Sequence, residues 1–384
     1  QYGGSGRTEM AVLKGLRWLR DHQNADGSWG ETNGRKPAFT AIALLAFLAH
    51  GETPSSAEFG ACVLKAIKKI VEYSEAADPV KTCSGNGYGH MMVTYALSEA
   101  FALTKIPMLE ANMNKMIQFT INGQNTVGGF NYHYNNSAMR TDTSVSGWAS
   151  QALKAAFAAG STATGLEQAM EKSISCMKNV VKGSRGFIYS VEGAGKKGEG
   201  VGSGTMTAAG TLVLQLLGDG KSKEAQEGIG FLIEKFNVCD WKDPKIPGGM
   251  QWALYRWYYQ TQALFQGFEG SGKEWKEWNK QFTNQLVKNQ KSDGHWETPA
   301  SELANQGDKK DDKKDGGHGE GTFKGLDNGI YSTSLCCLML EVYYRYLPTF
   351  KVVEAKGAAP AAPAAVGIAG AATEAKDDGG IKFE

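Results

Sequence analysis

The residues able to do chemistry recur at a few equivalent places along the chain. Asp142, in RTDTSVSGW (Arg140 to Trp148), stands at the head of an apolar helical pattern. A carboxyl there can serve as an acid or cap the helix, and a helix N-terminus favours its ionised form. His90, His133 and His295 fall beside turns of the same kind, and with Asp142 they form a scattered set of metal-ligand types. Histidines at loop rims are ordinary surface residues unless gathered with ligand spacing, so no metal or cofactor is expected.

The aromatic residues are better organised. Trp252, Tyr255 and Tyr259 stand at i, i+3 and i+7, and Tyr88 and Tyr95 at i and i+7, so each set shares a helix face. Tyr331 opens a further apolar segment. Aromatic faces around a cavity would stabilise a cation or hold a sugar or an apolar ring, although large residues also simply fill a core. Ser144, Trp148 and Thr205 are expected to join that lining. Thr40, Ser146, Thr207, Ser332 and Thr333 either circle the same mouth or act as helix starters. Glu99 and Glu341 lie late in apolar patterns, where a buried carboxylate needs a partner or a shifted pKa. Of six cysteines, Cys62, Cys176, Cys336 and Cys337 fall in helical patterns, while Cys83 and Cys239 fall in loops and are the candidates for a bridge or a ligand.

What positions these residues is a repeat. MAVLKGLRWLRDHQ (Met10 to Gln23) has apolar residues at helical spacing, NADGSWG (Asn24 to Gly30) is a glycine-aromatic turn, and AFTAIALLAFLAH (Ala38 to His50) is apolar nearly throughout. The pattern returns five times, with first helices beginning near Phe59, Leu109, Leu166, Ser222 and Lys273. The later turns are GNGYG, VGGFNY, SRGFIYS, PGGMQW and SDGHW. Their marker residues, Trp29, Tyr88, Phe130, Phe187, Met250 and Trp296, recur at intervals of 42 to 63 residues. A helix pair cannot bury both of its faces alone, so six pairs predict a closed ring, with apolar helices inside and amphipathic helices outside. The 49 glycines in 384 residues, about 13% against a typical ~7%, are explained largely by the turns.

The expected domain is a ring over residues 1–350, with an insertion at 297–328, followed by an Ala/Pro/Gly-rich tail at 351–384. DKKDDKKDGGHGEG, within the insertion, reads as a solvated stretch, since its spacing does not match a calcium loop. With 41 basic and 40 acidic residues, the net charge of +1 leaves no electrostatic footprint for a nucleic acid or an anionic membrane. No apolar run approaches the ~18–20 residues of a membrane span. A start at Gln1 is what removal of a signal peptide leaves, so an extracellular or periplasmic protein is expected.

GLRWLRDHQNADGSWG resembles the Gln-Trp type repeat of squalene-hopene cyclases and the related repeat of protein prenyltransferase β subunits. The resemblance runs over about residues 8 to 347 and implies an (α/α)6 toroid, a design similar also to the thioester domain of complement-like proteins. That fold hosts unrelated activities, and three catalytic signatures are missing. The D-x-D-D acid of class II cyclases is absent, with Asp142 the nearest analogue. Where prenyltransferases carry D-x-C, this chain has Asp142-Thr143-Ser144, and serine is a poor substitute for a zinc thiolate. TCSGNGYGHMM places Cys83 where thioester domains carry C-G-E-Q, but no Gln follows at the needed spacing. The expectation is therefore a non-catalytic binding or assembly module, meeting a protein partner or another copy through its tail. Two alternatives stay open: a terpenoid-cyclase-like enzyme acting on an isoprenoid with Asp142 or an inner glutamate as acid, and a polysaccharide-binding or lyase toroid.

Overall fold

The computed structural model describes residues 4–31, 35–76, 78–83, 87–134, 136–137, 140–193, 195–242, 252–299, 329–343, 347 and 349. The PGGM part of the fifth turn, most of the 297–328 insertion and the tail lie outside these residues. The chain divides into a unit at Gln1–Val352 and a unit at Val353–Glu384, and every described residue belongs to the first.

Among the described residues, six amphipathic helices alternate with six apolar ones. The amphipathic set is α1 (Gly6–Asp21), α3 (Gly60–Glu75), α6 (Pro107–Asn122), α8 (Leu166–Asn179), α10 (Lys223–Phe236) and α12 (Gly272–Asn289). The apolar set is α2 (Lys36–Ala49), α5 (Gly87–Thr104), α7 (Thr143–Ala159), α9 (Gly204–Leu216), α11 (Ala253–Gly267) and α13 (Ile330–Leu340). A single turn, α4 (Pro79–Thr82), precedes α5. Helix α1 buries one stripe, with Ala11, Val12, Leu16 and Leu19 inward, whereas α2 is buried without a break from Phe39 to Ala49. The apolar helices touch in the order α2, α5, α7, α9, α11, α13 and back to α2, which closes the inner ring. Each amphipathic helix wedges against the apolar helix before it, so α3 lies on α2, α6 on α5, and α1 on α13 across the seam between the chain's ends.

The turns are fastened by one recurring hydrogen-bond scheme. Trp29 N–H donates to Thr40 Oγ1 (3.1 Å), Phe130 N–H to Ser146 Oγ (3.0 Å), Phe187 N–H to Thr207 Oγ1 (3.2 Å) and Trp296 N–H to Thr333 Oγ1 (3.0 Å). Those four hydroxyls are buried clamps that pin each turn to its inner helix, so they do not circle a mouth. A glutamine completes the joint: the Nε2 of Gln23, Gln124 and Gln290 donates to the carbonyls of Cys62, Ala169 and Ala11 on the next outer helix. These carbonyls lie within helical turns, so each glutamine adds a second hydrogen bond to an acceptor the helix already uses. The Gln290 bond, at 2.8 Å, ties the last turn to the first helix.

One element was not legible in the sequence. β1 (Arg140–Asp142) and β2 (Ser190–Glu192) form a two-stranded antiparallel sheet with Arg140 opposite Glu192 and Asp142 opposite Ser190. Three residues are too few to show strand alternation, and the pairing exists because the ring brings the third and fourth turns together.

Candidate functional site

The sheet stands at the end of the ring where the inner helices begin, and it fixes the surroundings of Asp142. Asp142 N–H donates to Phe130 O (2.8 Å), and Thr143 donates from N to Tyr189 O (2.9 Å) and from Oγ1 to Ile188 O (2.6 Å). The Asp142 side chain is fully buried and occupies the N-cap position of α7. It does not cap the helix, however. Its carboxylate receives Arg140 instead, from Nε at 3.1 Å and from Nη2 at 2.9 Å. A guanidinium beside a carboxyl favours the ionised form, which is the reverse of what an alkene-protonating acid requires. Arg140 Nη1 also approaches Glu192, at 3.8 Å, so its charge is balanced within the sheet.

Around this pair lies a connected group of tyrosines. Tyr132 OH is 2.7 Å from Tyr189 OH and 3.2 Å from Ser144 Oγ. The Tyr88 and Tyr132 rings lie 5.3 Å apart, and Tyr255 OH donates to Ser144 O at 3.5 Å. The Tyr255 and Tyr259 rings are tilted to each other, with centroids 4.8 Å apart. Gln151 bridges deeper, donating to Tyr259 OH (2.9 Å) and accepting from Tyr258 OH (3.2 Å). Burial pushes the Tyr88, Tyr255 and Tyr259 hydroxyls well above the usual phenol range, so they are neutral donors and not bases. Tyr189, 38% exposed, is the outer member of the group.

Beneath this layer the ring's interior is occupied by side chains. Trp148 stacks on Tyr258 with centroids 5.9 Å apart, meets Tyr259 edge-on at 6.0 Å and approaches Tyr95 at 6.4 Å. These contacts run from α7 to α5 and past α9 to α11. Of the expected lining, Tyr88, Ser144, Tyr255 and Tyr331 stand near the surface layer, and Tyr95, Trp148 and Tyr259 form the floor. Trp252 is the half-buried N-cap residue of α11, and Thr205 the half-buried second residue of α9. Tyr132, Tyr189, Gln151 and Tyr258 were missed. The first two had a signal, since the third and fourth turns share G-F-x-Y.

The histidines are engaged separately. His90 is buried, with Nε2 3.1 Å from Thr120 Oγ1 and 3.2 Å from Tyr134 OH. His133 is exposed. His295 Nδ1 lies 2.6 Å from Asp293, and its ring stacks on Trp18 at 5.0 Å. Among the described residues no three His, Cys, Asp or Glu side chains gather to hold a metal ion. Cys83 and Cys239 do not pair: all six cysteines are free and buried, and burial pushes the Cys83 thiol up to about 12. Glu99 and Glu341 are buried as anticipated, and Glu341 has no hydrogen-bond partner on either oxygen. Burial and the nearby Glu9 and Glu52 charges hold the Glu341 carboxyl well above the usual range. A groove of about 570 Å³ between α1 and α12, lined by Arg7, Met10, Lys14 and Val287, is on the outside of the ring and is unrelated to these groups.

His90 supplies an acid limb to stability. Burial pushes its imidazole down to about 3, so the folded protein excludes a proton that the unfolded chain accepts near pH 6.5. The stability is present above about pH 6.5 and is lost as pH falls toward 3, by up to roughly 5 kcal/mol. Denaturant titrations of wild type and His90→Gln between pH 4 and 7.5 should show the variant's stability changing less with pH. Parallel curves would remove His90 from the account.

No protein-family model matches the chain, and no curated protein sequence does. Solved structures do. The GH76A α-1,6-mannanase of Salegentibacter sp. HEL1_6 superposes with a TM-score of 0.61 at 9% identity, over 90% of this chain and 100% of that one. The family 76 mannosidase Bt3792 of Bacteroides thetaiotaomicron gives 0.59 at 9%, over 89% and 99%. The type II terpene cyclase MstE of Scytonema gives 0.56 at 12%, over 89% and 100%. The chain is an α/α toroid. Identities this low establish the fold, which glycoside hydrolases and terpene cyclases share, and leave the chemistry to the residues. Among the toroid's described residues, no helix is long and apolar enough to cross a membrane.

Proposed function

We propose that the toroid is a saccharide-binding module that takes a neutral glycan at its tyrosine-rich end. The carrying observation is the linked hydroxyl group of Tyr189, Tyr132 and Ser144 above an interior filled by Trp148, Tyr258 and Tyr259. Phenol rings cover the C–H faces of a sugar while their hydroxyls exchange hydrogen bonds with its own, and both features are present in one patch. Among the described residues the Trp148 level is occupied by packed aromatic rings, which disfavours a deep isoprenoid chamber, and the Arg140 guanidinium beside Asp142 favours its carboxylate form. Because Arg140 is balanced by Asp142 and Glu192, nothing in the patch asks for a charged ligand. A mannanase of the same fold has been seen with α-1,6-mannotriose, which supports a saccharide as the first probe. The reading is non-catalytic, since among the described residues the patch offers no carboxyl pair free of a cation to act as acid and base.

Calorimetric titration with α-1,6-mannotriose, alongside a glycan array, tests the reading. Wild type should bind one or more neutral glycans, and Tyr189→Ala should weaken that binding by at least about tenfold, the loss of roughly 1.4 kcal/mol. Tyr132→Phe keeps the ring and removes the hydroxyl bridge, so it should give a smaller loss. An array with no glycan bound, or hydrolysis of a bound one, overturns it.

A further inference from the structure

The end of the ring opposite the tyrosine patch holds ionisable groups that saccharide binding does not use. Glu99, in the last turns of α5, is fully buried. Its Oε1 accepts the Thr349 N–H at 3.2 Å and the Thr349 hydroxyl, while Oε2 has no hydrogen-bond partner. Thr349 follows α13, and α13 sits between α2 and α11 in the ring. The contact therefore fastens Thr349 to a helix that is not the ring neighbour of α13.

Among the described residues, the groups facing Glu99 are few. Tyr95 comes from its own helix, Lys154 from α7 and Tyr258 from α11. Helix α2 carries only Lys36, at the far end, and the charged side chains of α3 and α6 lie on their outer faces. Lys154 is itself buried and feels the Glu99 charge, but the two form no ion pair. Among the described residues, a carboxylate here would be buried with one oxygen unpaired and its nearest cation out of bonding range, an arrangement that penalises the charged form.

We infer that the Thr349–Glu99 contact is a pH-sensitive clasp on the end of the ring, tighter when Glu99 is protonated and looser when it is ionised. Burial raises the Glu99 carboxyl to about 7 and lowers the Lys154 ammonium to about 8. A carboxyl with a raised pKa binds its proton more tightly in the fastened state, so the fastening is complete below the solvated value of about 4.5 and weakens as pH rises through about 7. Lys154 acts in the opposite sense, weakening the fastened state as pH falls through about 8. Below that its contribution is constant, so a change between pH 7.5 and 5.5 belongs to Glu99. The inference does not depend on the saccharide reading.

Hydrogen exchange at the Thr349 amide, measured on the full chain by mass spectrometry and corrected for intrinsic rates, tests the clasp. Protection should rise about twentyfold from pH 7.5 to 5.5, as linkage to one carboxyl shifted from 4.5 to about 7 requires. Glu99→Gln, the neutral isostere, should be as protected at pH 7.5 as wild type at pH 5.5, with no response to pH. Thr349→Val should lose protection at both values, which ties the signal to this contact. Equal wild-type protection at the two pH values overturns the inference without any variant. So does a folded Glu99→Gln that loosens as Thr349→Val does.

Discussion

Arg140→Met is expected to destabilise the protein by about 3 kcal/mol, among the larger single-site losses available to this fold. The reason lies in the asymmetry of the pair. Asp142 is fully buried, whereas the Arg140 side chain keeps 31% of its surface in water. Removing the guanidinium leaves a buried carboxylate without the cation that neutralises it, and methionine replaces the aliphatic stem so that packing is not the variable. The pair itself need not stabilise the fold, because desolvation offsets much of the attraction. Arg140→Met combined with Asp142→Leu should therefore recover most of the loss. Denaturant midpoints for the two singles and the double form the cycle. If Arg140→Met costs under ~1 kcal/mol, the pair behaves as an exposed one, and its claim to hold the sheet fails. The proposed saccharide patch gives a second readout: β1 and β2 place Tyr189 beside Tyr132, so on that reading the variant should also bind glycan more weakly at temperatures where it remains folded.

This pair shows how far the sequence could be read. The helix pairs were legible because their signal is periodic and repeated: Val12, Leu16 and Leu19 mark one stripe, and residues 39–49 are apolar on every side. The turns were legible for the same reason, since a glycine one or two residues before an aromatic marker recurs in five of the six, with Met250 in the fifth. Asp142 was visible as a helix-start carboxyl, but its role was not. An N-cap aspartate and an ion-paired aspartate have the same sequence, and only the sheet, made by two turns 50 residues apart in the chain, decides between them. The Ser and Thr residues opening the inner helices failed in a different way. Thr40 and Thr333 look like helix starters, yet their hydroxyls accept from turn N–H groups, Trp29 and Trp296, 11 and 37 residues away. Tyr132 and Tyr189 could have been found, because G-F-x-Y recurs in the turns that form the sheet. Which aromatics would line a surface and which would fill the interior could not be found, since helical spacing gives a face and not a depth.

The second large effect is expected at Gly294, and it separates two accounts of the ring. Gly27, Gly128 and Gly294 hold equivalent positions in the turns, with φ of +86°, +88° and +105°. An added Cβ would lie no more than 2.5 Å from a backbone oxygen, of Lys65, Lys172 and Lys14 respectively. Alanine at any of them adds about 1–2 kcal/mol of left-handed strain, and the turn must also retreat from a neighbouring main chain that cannot yield. The retreat pulls on the adjacent glutamine bond, Gln23 to Cys62, Gln124 to Ala169 or Gln290 to Ala11. Each substitution should cost roughly 3 kcal/mol if the joints are independent. They are not equivalent in connectivity. The Gly27 and Gly128 joints link repeats that the chain also links directly, whereas the Gly294 joint spans 279 residues between Gln290 and Ala11. Losing it removes a noncovalent closure whose ends the chain holds only through the whole ring, so the loop-closure term is largest there. Gly294→Ala should therefore lower the denaturation midpoint more than Gly27→Ala or Gly128→Ala, and small-angle scattering should show it expanded before the main transition. Three equal losses, with no expansion, would mean that each joint acts locally and that closure across the α1–α13 seam is carried by helix packing alone.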